Sequence, residues 1–395
     1  MGWQCLSIIP SLEACSRPPN ARRKKFTPHH QLERRANMLG CTDSDDMGCP
    51  LLDPLPPNNS RGQDSGLLAL PTEIISEIFT RFLPVYPLCP PLTGLLSPTL
   101  LTYICREFRE IALDTPMLWR GISFCDDGSL AQQLHLTDLW LGRSRFCPLS
   151  IQIEEIDSSA AVYQFIAAVL PHRARWEYLH LRLMSWRILL AVDGPMPLLR
   201  QLHLTLNDDS DPVTVAFLEL PLLRSVTLSE YATSNITLPW VQLTSLTLKC
   251  VYRSEYLPIL QQASNLGQCE LVDILFEYHD DPNPQEIMLP CMGSLTMDQS
   301  RDDWVDRKYP DVFIVPALQR LRIQESFLGP SPIEALASFL SKSGSKPREV
   351  CITGKRSIRS ASYRSAFPSI PEFSFTGPFV SRETAVEEVD GDLHP

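Results

Sequence analysis

Glycine is scarce in this chain, and the motifs of common enzyme classes are missing. The 395 residues include 17 glycines against 35 prolines. This balance disfavours an enzyme built on a glycine-rich nucleotide loop and favours short elements with stiff breaks between them. The sequence contains no G-x-S-x-G, no phosphate loop, no H-E-x-x-H and no dinucleotide fingerprint. We therefore predict a protein that is not an enzyme and needs no cofactor.

The chain also lacks paired cysteine motifs, an excess of basic charge and long apolar runs. None of the 12 cysteines lies in a C-x-x-C or in a zinc-ligand spacing, which favours reduced thiols in an intracellular protein, cytoplasmic or nuclear. A net charge of −11 disfavours nucleic-acid binding, which requires excess Lys and Arg. No apolar run reaches the ~18 residues of a membrane span, so we expect no membrane partner.

The two ends of the chain differ in composition from its middle. Residues 1–65 are rich in Pro, Asn, Ser and Asp and show no periodicity, which predicts a disordered N-terminal tail. The basic cluster at 22–25 is either a nuclear-import signal or ordinary charged surface in that tail. Residues 356–395 are predicted to form an irregular, partly disordered C-terminal tail.

Order is predicted to begin near Leu67. A Leu-Pro pair at 70–71 precedes apolar residues at helical spacing, and Pro71 suits the first turn of a helix. Prolines between 84 and 91 end this helix. A second helical pattern follows over 99–115, and Pro116 to Trp119 close the segment.

This segment resembles an F-box, in particular those of mushroom-forming fungi. The resemblance rests on Leu70-Pro71, Glu73-Ile74, Ile78-Phe79, Leu83, Cys105-Arg106, Phe108-Arg109, Ile111-Ala112 and Leu118-Trp119. Phe108 stands where the family usually has tryptophan, and it keeps an aromatic anchor. The resemblance implies an F-box at 66–123, a connector helix at 124–147, and docking on the Skp-type adaptor that binds a cullin. The adaptor-binding residues that it implies are Leu70, Pro71, Ile74, Ile78, Phe79, Leu83, Cys105, Phe108 and Trp119.

Residues 148–355 carry a degenerate repeat. An L-x-x-L-x-L-like pattern has its middle residue at 179, 202, 226, 246, 269, 295 and 321. The spacing of 20 to 26 residues is typical of leucine-rich repeats. Each L-x-L is a short strand with one buried face, and successive strands stack in parallel. The predicted fold is therefore α + α/β, with a small three-helix F-box followed by a leucine-rich-repeat solenoid around a parallel β-sheet.

The strand residues between the leucines are predicted to line the concave face and to bind a protein substrate. They are Tyr178, His180, Arg182, Gln201, His203, Thr227, Thr247, Lys249, Glu270, Arg320 and Arg322. His180 and His203 occupy equivalent positions of adjacent repeats, so a metal pair is an alternative there. The acidic run at 208–211 is either a cation-binding loop or an ordinary charged loop. Our preferred prediction is that no metal is bound.

Together these patterns predict the substrate-recognition subunit of a Skp/cullin/F-box ubiquitin ligase. The F-box would dock on the adaptor, and the repeats would bind an unidentified protein substrate. One alternative is a protein-binding scaffold with leucine-rich repeats that leads to no ubiquitin transfer. Another is a leucine-rich-repeat enzyme or enzyme inhibitor whose likeness to an F-box is accidental.

The predicted boundary near Leu67 leads to a truncation test. Deleting residues 1–60 should leave adaptor capture in a pulldown unchanged, because the deleted segment precedes all the implied anchors. Loss of capture by a truncated protein that still melts at the wild-type temperature would place part of the docking module before residue 61.

Overall fold

The computed structural model describes residues 67–125, 129–154, 160–207, 214–275, 286–300 and 310–379. These residues belong to one compact unit that spans 62–395. The predicted N-terminal tail at 1–65, the acidic run at 208–211 and residues 380–395 lie outside the described residues.

The N-terminal part of the described chain is helical. Its helices are α1 (Thr72–Phe82), α2 (Leu101–Ile104) and α3 (Arg106–Leu113). They are followed by α4 (Leu130–Arg143), which lies within the predicted connector helix. Pro71 immediately precedes α1 with φ −53° and ψ 145°, so the proline ring sets the entry of the chain into the helix. The Sγ atom of Cys105 accepts a hydrogen bond from the amide of Phe108 at the start of α3.

Within the described residues, eleven strands form one parallel sheet, and they are arranged in chain order. The sheet strands are β1 (Gly121–Cys125), β2 (Leu149–Glu154), β3 (Trp176–Leu183), β4 (Gln201–Leu206), β6 (Ser225–Glu230), β8 (Ser245–Lys249), β9 (Gln268–Val272), β11 (Ser294–Asp298), β13 (Arg320–Gln324), β14 (Glu349–Thr353) and β15 (Glu372–Phe375). The predicted combination of helices with a large parallel sheet is confirmed.

The segments that return from one sheet strand to the next contain helices and very short strands. The helices are α5 (Ala160–Val169), α6 (Trp186–Val192), α7 (Ala232–Asn235), α8 (Arg253–Gln262), α9 (Pro332–Ser343) and α10 (Ser360–Ala366). The short strands are β5 (Val215–Ala216), β7 (Ile236–Thr237), β10 (Ile287–Met288) and β12 (Phe313–Ile314). Among the described helices, none is long and apolar enough to cross a lipid bilayer.

One buried row runs across the sheet and explains why the strands stack. Strand pairing aligns the middle residues of the repeats in register from β3 to β14. This leucine row consists of Leu179, Leu202, Val226, Leu246, Cys269, Leu295, Leu321 and Val350, all of which are buried. A strand of five or six residues cannot bury such a side chain alone, so each strand depends on its neighbours.

The sheet extends past both of its predicted boundaries, 148 and 355. Strand β1 begins in the segment assigned to the F-box and ends in the predicted connector helix, and its Ile122 and Phe124 are buried. Strand β15 lies in the predicted irregular tail and pairs with β14 over four residues. The leucine pattern missed β15 because Phe373 and Phe375 occupy the positions where other repeats carry aliphatic residues.

The helical part and the sheet share one hydrophobic core. The indole Nε1 of Trp119 donates to the Ala112 carbonyl at 2.9 Å, and its ring packs edge-on against Trp140 of α4 at 5.6 Å between centroids. Both tryptophans belong to the continuous buried cluster that includes the leucine row. Removal of the helical part would therefore expose the core at one end of the sheet.

A proline-rich loop at 84–91 packs against the first strands. Ser150 Oγ donates to the Pro87 carbonyl at 2.6 Å, and Ser123 Oγ donates to the Pro90 carbonyl at 3.3 Å. Gly121 permits this approach, because a Cβ atom there would lie 3.0 Å from Cδ of Pro90. The loop thus fixes the helical part to the start of the sheet.

The leucine row leads to a stability prediction. Leu246→Asp should lower the free energy of unfolding by about 4 kcal/mol or more, because it places an unpaired charge in a core shared by neighbouring strands. The measurement is thermal unfolding followed by circular dichroism. Ser245→Asp, one residue earlier on the opposite face and between the uncharged Ser225 and Gln268, is the matched control and should melt near the wild-type temperature. Equal melting of Leu246→Asp and the wild type would contradict the stacked core.

Candidate protein-interaction surfaces

Helix α1 carries apolar residues on two of its faces. Ile75 and Phe79 are buried in the core. Leu70, just before the helix, and Ile74 and Ile78 within it are 41%, 49% and 39% exposed. Ile74 and Ile78 are four residues apart within α1, so they share its outer face, and Leu70 lies directly before Pro71 at the entrance of the helix. We call Leu70, Ile74 and Ile78 the α1 stripe.

The buried face of α1 holds the stripe in place. Phe79 packs edge-on against Phe108 of α3, with 5.0 Å between ring centroids. Thr115 Oγ1, which follows α3, donates to Ser76 Oγ at 3.0 Å. Helix α1 is therefore fixed by contacts along one side, while the stripe on the other side remains in water.

The structure separates the implied adaptor-binding residues into three groups. Pro71 is exposed beside the α1 stripe, and Leu83, Cys105 and Phe108 are half-buried. Phe79 and Trp119 correct the sequence prediction, because they are only 2% and 0% exposed and cannot contact a partner directly. They act as core residues that support the surface helices.

Sequence reasoning did not assign three exposed apolar residues of the same helices. Phe82 lies at the end of α1, and Tyr103 and Ile104 lie in α2. The apolar spacing that predicts a helix does not say which apolar face is solvent-exposed, so these residues carried no separate signal.

The predicted substrate-binding residues all lie on the face of the sheet opposite the leucine row, and none of them is buried. We call this set the polar strip. Its central row aligns residues from seven neighbouring strands in register. In strand order that row is His180, His203, Thr227, Thr247, Glu270, Thr296 and Arg322. Thr296 was not among the predicted residues, and we include it in the polar strip because of its place in this row.

Two stacked histidines lie in this row. The rings of His180 and His203 are 4.2 Å apart between centroids and only 16° from parallel. Burial lowers the pKa of both imidazoles, and His180 and Lys249 add to the effect at His203, whose pKa falls to about 4. The rings meet face to face, whereas nitrogens that share a metal ion must converge on it. This arrangement does not favour the metal-pair alternative.

The proline-rich loop covers one end of the polar strip. Tyr86 packs edge-on against Tyr178 with 5.1 Å between centroids, and its hydroxyl donates to Glu177 at 3.1 Å. The guanidinium of Arg120 lies 3.5 Å from the centre of the Tyr86 ring. Burial, followed by the charge of Glu177, raises the pKa of the Tyr86 hydroxyl. Tyr178 is therefore engaged by the loop and only partly available to a substrate.

The other half of the polar strip is charged and contains a hollow. Arg322 Nε donates to Asp298 at 3.3 Å, and the same carboxylate accepts from Thr353 Oγ1 at 3.1 Å. A cavity of about 380 Å³ lies beside this pair and is lined by Glu270, Val272, Thr296, Asp298, Gln299, Ser300 and Arg322. Gln299 and Ser300 follow the end of strand β11, so the strand pattern could not identify them.

The described residues offer little chemistry beyond recognition. They contain no group of three or more His, Cys, Asp or Glu that could hold a metal ion. Free thiols are found at Cys89, Cys105, Cys147, Cys250, Cys269, Cys291 and Cys351. Burial raises the pKa of Cys89 to about 11 and that of Cys269 to about 12, so both are protonated at neutral pH.

Comparison of the chain with protein-family models, curated proteins and solved structures finds no match. The indications of function in this protein are therefore two of its surfaces, the exposed α1 stripe and the polar strip.

The histidine stack leads to a pH prediction. An unfolded histidine has its pKa near 6.5, whereas that of folded His203 is about 4. The unfolded state therefore binds more protons between these values, and stability should fall as the pH drops from 6.5 to 4. His203→Phe keeps a stacking ring but cannot take a proton. The melting temperature of this variant minus that of the wild type should therefore increase as the pH falls from 7 to 4.5.

The control for this experiment is His135→Phe on the exposed side of α4. It should shift the melting temperature by the same amount at both pH values. If His203→Phe behaves in the same way as this control, the histidine stack does not contribute to the pH dependence.

Proposed function

We propose that this protein is the substrate-recognition subunit of a Skp/cullin/F-box ubiquitin ligase. The observation that carries the proposal is the exposed α1 stripe, which coincides with the part of the chain that resembles an F-box. In this assignment Leu70, Ile74 and Ile78 contact the Skp-type adaptor, and the polar strip binds the substrate.

The energetics of the α1 stripe support a partner on that face. Three large apolar side chains, two on the outer face of α1 and one just before the helix, have 39–49% of their surface in water. Apolar patches of this kind mark interaction sites, because their burial releases about 25 cal/mol per Å². Since α1 is already held by Ile75 and Phe79, docking would require little rearrangement of the helix.

The composition of the polar strip supports recognition of a protein. Aromatic rings and Arg are enriched at interaction hot spots, and the strip combines Tyr178 and two histidines with Arg182, Arg320 and Arg322. The hollow beside Asp298 and Arg322 provides a recess for a side chain of the substrate.

The shared core supports the ligase role over simple binding. A ligase subunit acts by proximity, since it holds the lysines of its substrate near a charged conjugating enzyme. The Trp119–Trp140 contact and the proline-rich loop join the α1 helix and the sheet without a flexible hinge between them. Adaptor and substrate would then be held at a fixed separation.

The test is capture of purified Skp-type adaptor by full-length protein. Leu70→Ala with Ile74→Ala should weaken capture by about thirtyfold to a thousandfold, because loss of central anchors typically costs about 2–4 kcal/mol. The matched control is Leu190→Ala with Leu218→Ala, which removes two similarly exposed leucines from the repeats and should leave capture unchanged.

Adaptor binding by the stripe variant within threefold of the wild type would contradict the proposal. Two further measurements separate ligase from scaffold. Co-purification of a cullin and a longer substrate half-life after loss of the protein support the ligase. Adaptor binding without a cullin, or with an unchanged substrate half-life, supports the scaffold.

A further inference from the structure

A second cavity lies away from both proposed surfaces, near the end of the described chain. It has a volume of about 610 Å³ and lies between the C-terminal half of α9, the 344–348 turn and the 367–371 segment before β15. This volume is in the range of small-molecule sites, about 300–1,000 Å³. It would hold a small organic molecule but not a helix.

The body of this cavity is apolar. Leu340 of α9 forms one wall, and Phe367 and Ile370 form the wall opposite. Pro347 and Pro371 contribute rigid surface between them. A hydrocarbon or aromatic group of a ligand would therefore be removed from water on several sides.

The charge of the cavity is the opposite of that of the chain. Its lining includes Lys346 and Arg348 and no carboxylate, although the chain carries a net charge of −11. Neither cation takes part in any of the ion pairs of the described residues. Two unpaired cations beside apolar walls favour an anion that carries an apolar body.

We propose that this cavity binds a small amphiphilic carboxylate, with its apolar body between Leu340 and Phe367 and its carboxylate on Lys346 and Arg348. The proposal does not depend on adaptor docking, because the two sites share no residues. A neutral molecule of the same shape would lose the two cationic contacts.

The test uses 4-phenylbutyrate as the probe and full-length protein, with binding measured by isothermal titration calorimetry. 4-Phenylbutanol is the neutral comparison. The expected result is saturable one-to-one binding of the acid, at least tenfold tighter than binding of the alcohol.

Two pairs of variants assign the binding to this cavity. Ala337→Trp places a large side chain in the cavity from an exposed position of α9. Ser338→Trp is the control, because Ser338 is also exposed but does not line the cavity. Lys346→Gln with Arg348→Gln removes the cations, whereas Arg187→Gln with Arg359→Gln removes two exposed cations that lie outside the cavity lining. Both cavity variants should weaken binding at least tenfold, and both controls should bind within twofold of the wild type.

Thermal unfolding followed by circular dichroism establishes that each variant is folded, when its melting temperature equals that of the wild type. No saturable binding of the acid at 1 mM (about −4 kcal/mol) would overturn the proposal. Equal binding of acid and alcohol would do the same, as would unchanged binding by folded Ala337→Trp and double-glutamine variants.

Discussion

The in-register stacking of short parallel strands is the constraint on which the rest of the molecule depends. Each sheet strand from β3 to β14 contributes one buried residue to the leucine row, and that residue is covered only when the neighbouring strands are present. The helical part joins the same core through Trp119 and Trp140. Neither the α1 stripe nor the polar strip could keep its geometry without this shared interior.

A consequence of this arrangement is that core and surface are opposite faces of the same elements. Leu246 is buried and Thr247 faces water on one strand, while Ile75 is buried and Ile74 is exposed on one helix. The fold therefore presents two chemically different surfaces, one apolar and helical and one polar and built on strands. We propose that the first binds an adaptor and the second a substrate.

The sequence predicted the parts of this fold that repeat. The spacing of the L-x-L units identified the strands and their inward side chains, because a period of two residues fixes which face is buried. It did not identify β15, where Phe373 and Phe375 replace the aliphatic residues, or β1, which precedes the repeats. Contacts between distant segments, such as Tyr86 on Tyr178, have no local signature in the chain.

The most direct test of the central claim is hydrogen–deuterium exchange of the full-length protein with and without the Skp-type adaptor. The account predicts slower amide exchange over residues 67–83 and 98–113, and no change over strands β4 to β13. Protection of those strands by the adaptor, or unchanged exchange throughout α1 when the adaptor is bound, would contradict it.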